Sequence, residues 1–600
     1  MQKRPRTGKV LVLGQGVRSY LAIVRSLGRR GLAVHSAWCP PGCAALRSRY
    51  VTRVHDLPLP SVADLWKPAL LELVDREAYD LVVPQAERAM RPLQAHAAEL
   101  RERGDFYLLD DRAFGIAFDK QRSVDLAGSL GIPVPRSVPV HRADELDAAA
   151  AELSLPLVLK PLTSFTDDPL APRRNVIRIE RREELREAGR GLLERGPALA
   201  QEIVRGRGVG VEMLAQRGVV LFAFQHERVH EPPRGGPSSY RRSVPLRGDL
   251  LRASVRLVRA LDYTGVLMVE FRVDRARGDW TFMEINGRFW GSLPLAVAAG
   301  ADFPWFLYRM LVEGVREFPP GYRTGLYSRN LTADLAWFGG NLRADRSDPT
   351  LATVSLADLV RETGNVLAGR ERSDTFVRDD PRPALAELGA TLRRVRRRLS
   401  NGLAARLVGS PPLRGRSSRR ARRAAASPSR VLFLCLGNIC RSPFAERYAR
   451  SLQPSVRFSS SGLYPVAGRR CPAEAIQAAR EIGLDLAGHV SSVVCAEQIA
   501  AHDLVLTFDE SVHREALRRF PLQRGRLHRF GHLAVGGAVD IADPFGGGIA
   551  EYREAYARIA RTLDHSFGPV ENGPQLSSGV SRRTAHGLLA RSEDRDSDAK

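Results

Sequence analysis

The chain is nearly without lysine. Of 91 basic residues only six are lysines, at positions 3, 9, 67, 120, 160 and 600, so each interior lysine marks a place where a compact ammonium was kept. Long apolar runs are missing too: none approaches the ~20 residues a bilayer span requires, and the basic residues 1–10 lead only into VLVLG before a glycine. No membrane partner and no signal peptide are expected, and the protein reads as cytoplasmic. Cysteine is sparse, with six residues (39, 43, 435, 440, 471, 495), which favours free thiols in a reducing compartment over a disulfide framework. No internal repeat of fixed period is visible.

What is present is length and apolar content. Six hundred residues suggest about four globular units. With 44% hydrophobic and 26% charged residues, the chain can bury real cores. The formal charge of +24 is uneven, because residues 393–430 hold thirteen arginines and no acid. Mixed with Ser, Pro, Gly and Ala and lacking interleaved aromatics, that tract reads as a solvated linker, and a nucleic-acid partner is disfavoured. A second break falls near Phe567, after which the sequence is polar and aromatic-free, as a disordered tail would be.

Before the tract, apolar runs alternate with helical patterns: KVLVLG (9–14), helix 18–30, LAVHSAW (32–38), helix 62–76, YDLVVP (79–84). That alternation predicts a parallel α/β sheet. From about residue 118 a helix (118–130), strands at 156–160 and 198–204, a strand pair about Arg217-Gly218, and strands at 266–273 and 280–285 predict antiparallel pairing. Gly14-Gln15-Gly16 reads as a tight strand-to-helix turn, since neither a third glycine nor a ribose-binding acid follows.

Strand 280–285 runs into Asn286. Glu284 and Asn286 share a face and Glu270 can lie opposite, giving hard oxygens suited to Mg²⁺, with Arg288 placed for a phosphate. Lys120 opens a helix and Lys160 ends a strand, both suited to phosphate oxygens, and 201–204 offers backbone groups for an adenine edge. Arg228, Arg234 and Gly235-Gly236 either contact an acidic substrate or form a basic surface loop. In this order the residues resemble the ATP-grasp superfamily, and FQHERVHEPPRGGPSS and MEINGRFWGSLPLAVAAGADFP resemble its carbamoyl-phosphate-synthase-like members. The resemblance implies ATP and Mg²⁺ between two subdomains and activation of a carboxylate for capture by an amine or thiol. It assigns phosphates to Lys120, Lys160 and Arg288, adenine to Glu202 and Val204, and metal to Glu270, Glu284 and Asn286. Two departures are the glycine-free stretch after Lys160 and Gly208 in place of a ribose-binding acid.

After the tract, VLFL feeds into Cys435-LGNIC-Arg441 and a helix follows at once. In so arginine-rich a chain a bare Cys-x5-Arg arises about once by chance, and Cys43 to Arg49 is such a match without a preceding strand. At Cys435 loop N–H groups and a helix N-terminus are expected to converge on an anion site, with Arg441 placed to grip phosphate oxygens. Asp543, extended by Pro544, supplies a proton to the leaving group. CLGNICRSP, SSSG (459–462), LAGHV (486–490) and DPFGG (543–547) resemble the low-molecular-weight protein tyrosine phosphatases over about 429–567. That resemblance implies Cys435 as nucleophile, Arg441 as phosphate binder, Asp543 as general acid then base, and Asn438, Ser442, Ser460 and His489 as loop supports. Phe545 stands where a tyrosine is often found.

The sequence thus predicts an α/β chain with a pre-ATP-grasp subdomain (1–117), an ATP-grasp domain (118–395) containing antiparallel α+β subdomains, an Arg-rich linker (396–428), a parallel α/β phosphatase domain (429–567) and a tail (568–600). Expected partners are a phosphotyrosine protein or small aryl phosphate, and unidentified carboxylate and amine substrates. The competing readings are an arsenate reductase-like C-terminal domain and a nucleotide sensor in place of a ligase.

Overall fold

The structure is a computed structural model, and it describes residues 6–40, 42–60, 65–165, 174–193, 196–233, 235–274, 276–346, 348, 351, 353–393, 396, 411–464, 467–534 and 539–568. Arg234, most of the stretch after Lys160 (166–173), linker residues 397–410 and tail residues 569–600 lie outside them. The chain divides into two compact units, Met1–Arg394 and Val395–Lys600. Among the described residues no helix is long and apolar enough to cross a membrane.

Among the described residues the first unit holds three sheets. Strands β1 (Lys9–Leu13), β2 (Ala33–Ala37), β3 (Val51–Val54) and β4 (Leu81–Pro84) form a parallel sheet in the order β3-β2-β1-β4. Central β1 is buried from Val10 to Leu13, which explains its uninterrupted apolar run. Gly14 and Gly16 (φ +134° and +129°) turn the chain from β1 toward helix Ser19–Arg29.

The second sheet is antiparallel: β5 (Ser137–Val140), β6 (Leu157–Pro161), β7 (Ile177–Ile179) and β8 (Ala198–Glu202), ordered β5-β8-β6-β7. The third has seven strands: β9 (Arg207–Gln216), β10 (Val219–His230), β11 (Tyr240–Ser243), β12 (Gly265–Val273), β13 (Trp280–Asn286), β14 (Tyr327–Arg329) and β15 (Glu371–Ser373). Its order is β13-β12-β9-β10-β11-β14-β15. The β9–β10 hairpin turns on Arg217 and Gly218, both at positive φ (+47° and +72°), which suits the right-handed twist of the flanking strands.

In the second unit β16 (Arg430–Cys435), β17 (Arg457–Gly462), β18 (Leu504–Thr507) and β19 (Leu527–Arg529) make a parallel sheet ordered β17-β16-β18-β19. Helix Ile549–Phe567 buries Tyr552, Tyr556, Ile559 and Leu563 in this unit's core.

One expectation is corrected here. The Arg-rich tract is not linker throughout, since residues Pro411–Ala425 form a helix. Ala421 and Ala425, one turn apart, are buried in the core of the second unit, and Arg422 donates to the carbonyl of Ala534 at 3.0 Å. Two small residues on one face let the helix settle while Arg419, Arg420, Arg422 and Arg423 stay at the surface.

Candidate functional site

In the second unit, neighbouring strands leave central β16 in opposite directions, which opens a crevice at its carboxyl end. Cys435 is the last residue of β16 and is 2% exposed. Its Sγ accepts from Asn438 N–H at 3.1 Å and lies 3.0 Å from Ser442 Oγ. Asn438 adopts φ +52°, a left-handed conformation that asparagine tolerates. Its Nδ2 donates to Ser442 Oγ (3.0 Å) and Ser460 Oγ (2.9 Å), and its Oδ1 accepts from Ser492 N–H (2.9 Å). His489 Nε2 lies 2.9 Å from the Asn438 carbonyl; a carbonyl only accepts, so Nε2 carries the proton. Burial holds the His489 ring below its ordinary pKa and therefore neutral. Asn438, Ser442, Ser460 and His489 thus converge behind one loop.

Arg441 opens helix Arg441–Leu452 and is 1% exposed. It donates from Nη1 to Asp509 Oδ2 and the Ile541 carbonyl, both at 2.8 Å, and pairs through Nη2 with Asp543 Oδ2 at 2.7 Å. Burial disfavours its charge, but Cys435, Asp543 and Asp509 more than offset that and raise its pKa. Asp509 was not anticipated from sequence. It follows β18 and N-caps helix Glu510–Arg519, so an acid just past a neighbouring strand of the sheet was the available signal. Gly462 pairs in register with Cys435, and a Cβ there would lie 2.9 Å from the Leu436 carbonyl, which explains the glycine ending SSSG. Leu436, Tyr464 and Phe545 are exposed, and Arg469 stacks on the Tyr464 ring at 4.4 Å while donating to the Gly437 carbonyl at 2.5 Å.

In the first unit Glu270 on β12 and Glu284 on β13 stand opposite each other in register. Asn286 Nδ2 donates to Glu284 Oε1 (3.0 Å), and Arg288 Nη2 donates to Asn286 Oδ1 (3.0 Å). Burial raises the pKa of Glu270, and the facing Glu284 adds to this. For Glu284 burial acts upward, but Lys120 and Lys160 outweigh it and hold the group below its ordinary value. Two opposed carboxylates beside an amide oxygen form a hard donor set that fits Mg²⁺. Arg228 supplies positive charge at present, donating to Glu270 Oε2 at 2.5 Å and to Glu231 Oε1 at 3.2 Å. Lys160 bonds Gln201 Oε1 at 2.5 Å, and burial pushes its pKa down to about 8. Lys120 donates to the Pro161 carbonyl (3.1 Å) and Ser164 Oγ (3.2 Å).

Other expected residues are placed less directly. The Glu202 carboxylate is held by Arg136 (Oε2 to Nε, 3.0 Å). Val204 lies outside the strand, in the connection from β8 to β9. Gly208 has a structural reason: its N–H donates to Glu231 Oε2 at 3.1 Å, and a Cβ would come within 2.8 Å of Glu231 Oε1. A buried pair also escaped the sequence: His226 Nδ1 hydrogen-bonds Glu212 Oε1, with burial driving the histidine pKa down and the glutamate pKa up. Gly210, where a Cβ would lie 2.5 Å from the His226 ring, makes room for it.

A thiol reached by a loop N–H at the end of a strand, followed by a buried arginine that pairs with Asp543, is the arrangement of a cysteine-dependent phosphatase. Residues 430–572 match the family model described as low molecular weight phosphotyrosine protein phosphatase, and residues 194–333 match ATP-grasp in the biosynthetic pathway with Ter operon. A putative low molecular weight protein-tyrosine-phosphatase of Klebsiella pneumoniae is 31% identical over 138 residues, 23% of this chain and 92% of that one. A protein-arginine-phosphatase of Geobacillus stearothermophilus is 36% identical over 141 residues, 23% of this chain and 93% of that one. The L-amino acid ligase structure from Bacillus licheniformis aligns over 54% of this chain and 79% of its own, at 18% identity and a TM-score of 0.44. Through its second unit the chain belongs to the low molecular weight protein tyrosine phosphatase family.

Proposed function

We propose that the second unit hydrolyses phosphotyrosine-like monoesters through a phosphocysteine at Cys435, and that the first binds MgATP and activates a carboxylate for attack by an amine. The observation that carries the first reading is the convergence of the Asn438 N–H and Ser442 Oγ on Cys435 Sγ, with Arg441 joined to Asp543. Cys435 attacks phosphorus in line while Arg441 and loop N–H groups hold the equatorial oxygens. Asp543 gives its proton to the departing phenolate, then takes one from the water that cleaves the phosphocysteine. Ser442 steadies the thiolate as it leaves. Cys435→Ser is expected to abolish aryl phosphate hydrolysis; unchanged turnover would remove Cys435 from the mechanism.

Support for the second reading is the ATP-grasp model match and the cluster of Lys120, Lys160 and the opposed Glu270 and Glu284. Lys120, Lys160 and Arg288 would orient phosphates, and Glu270, Glu284 and Asn286 would hold Mg²⁺. When bound, the ion would offset phosphate charge. ADP release on adding carboxylate and amine pairs supports the ligase; ATP binding without turnover across such pairs would make the domain a sensor.

One observation favours a different phosphatase substrate: the 36% identical relative is named a protein-arginine-phosphatase. Comparing kcat/KM on phosphoarginine and phosphotyrosine peptides separates the two, and a higher value on phosphoarginine would displace the tyrosine reading.

A further inference from the structure

The first unit holds a polar cluster that neither proposed activity uses, built where β2, the residue after β3 and the end of helix Trp66–Glu77 meet. His35 on β2, Glu77 and Tyr79 are buried, and His55 is half-buried. Tyr79 Oη lies 2.8 Å from His35 Nδ1 and 3.2 Å from His55 Nε2, and the two ring nitrogens are 3.0 Å apart. Donor atoms of His35, His55 and Glu77 all lie within 4.8 Å of one another. An imidazole nitrogen offers one in-plane lone pair or one N–H, so hydrogen bonding serves at most two edges of the His35–His55–Tyr79 triangle. A cation beside the two nitrogens takes both lone pairs at once. Bonds of about 2.0 Å to a tetrahedral Zn²⁺ set its donor atoms about 3.3 Å apart, and the ring nitrogens already stand close to that spacing.

We propose that His35, His55 and Glu77 form a zinc site that clips the end of β3 and the helix Trp66–Glu77 to β2. Two imidazoles and one carboxylate suit Zn²⁺ better than the all-oxygen preference of Mg²⁺, which sets this site apart from the Glu270–Glu284 cluster. The Tyr79 hydroxyl stands beside the open fourth position, where a water completes the tetrahedron. Glu77 accepts from Arg53 Nη1 at 3.1 Å on one oxygen and from Lys9 Nζ at 3.2 Å on the other. A carboxylate has about four lone-pair sites, so one oxygen can take the metal while these cations stay in the outer shell. The Arg53 side chain is 60% exposed and can also swing into solvent. The clip has a mechanical use. β3 stands at the edge of its sheet with Thr52, Arg53 and Val54 exposed, so little apolar packing holds it, and a ligand at the next residue anchors its end. Because the three ligands come from separate segments, the ion binds the folded unit and stabilises it.

The untagged full chain is stripped with a chelator and dialysed against zinc chloride with Mg²⁺ in excess, which keeps the Glu270–Glu284 carboxylates occupied, and bound zinc is counted by mass spectrometry. His55→Gln and Glu77→Gln are each expected to retain one equivalent fewer than the unaltered chain, and zinc should raise the thermal midpoint of the first unit in the unaltered chain alone. Equal zinc content in the unaltered chain and its folded variants would overturn the proposal. Cobalt substitution tests the unaltered chain independently of whether the variants fold. A tetrahedral nitrogen and oxygen site gives strong visible d–d bands without thiolate charge transfer in the near ultraviolet. Weak octahedral bands alone, or tetrahedral bands that always carry thiolate charge transfer, would equally count against the site.

Discussion

Asp543 pairs with Arg441 at 2.7 Å, so the group proposed as general acid stands where a substrate phosphate would place its charge. Phosphate must compete with it. Removing the negative charge should therefore loosen catalysis and tighten product binding together. In Asp543→Asn we expect kcat on an aryl phosphate to fall by about 10²–10³. Inhibition by inorganic phosphate should strengthen several-fold, and weaker inhibition would contradict the pairing. Lys160 gives a pH prediction. Burial lowers its pKa to about 8, so the ammonium is present below that value and lost above it. Nucleotide affinity should weaken between about pH 7 and about pH 9, and a Lys160→Met variant should be flat over that range in a fluorescent-nucleotide titration. At this scale the sequence was legible where one residue type had one use. Asn438, Ser442, Ser460 and His489 converge on the loop, and Glu270 faces Glu284. Asp509 and the Glu212–His226 pair were hidden because their partners lie 68 and 14 residues away, beyond any local pattern.

Among the elements, β9 shows how close packing fixes a sequence. Gly210 leaves space for the buried His226 ring, and an added Cβ would approach it to 2.5 Å. Gly210→Ala should cost about 1–3 kcal/mol by overpacking, read as a lowered thermal midpoint of the first unit. An unchanged midpoint would show that the ring moves freely. Strands buried on both faces, such as β1 and β16, announced themselves as continuous apolar runs. By contrast β3 is largely exposed and β14 and β15 are three residues each, so neither hydrophobicity nor length distinguished them from loop. The β9–β10 hairpin was readable because Arg217-Gly218 carries the backbone angles such a turn needs.

For the whole molecule, the chain resolves into two compact units. Composition located the arginine tract but concealed the helix at 411–425, because the residues described as packing on the core, Ala421, Ala424 and Ala425, are small and stand amid arginines. A second-unit fragment beginning at residue 429 should be less stable than one beginning at 411 by about 1–2 kcal/mol, seen as an earlier denaturant midpoint. Equal midpoints would mean the helix contributes nothing. In the proposed mechanism Cys435 carries phosphate covalently, and that intermediate can be observed directly. The full chain, turning over an aryl phosphate, is quenched in acid and digested, and the peptide 431–441 is weighed. One added phosphate on Cys435 is expected, absent in Cys435→Ser. Sustained turnover with that peptide always unmodified would contradict it.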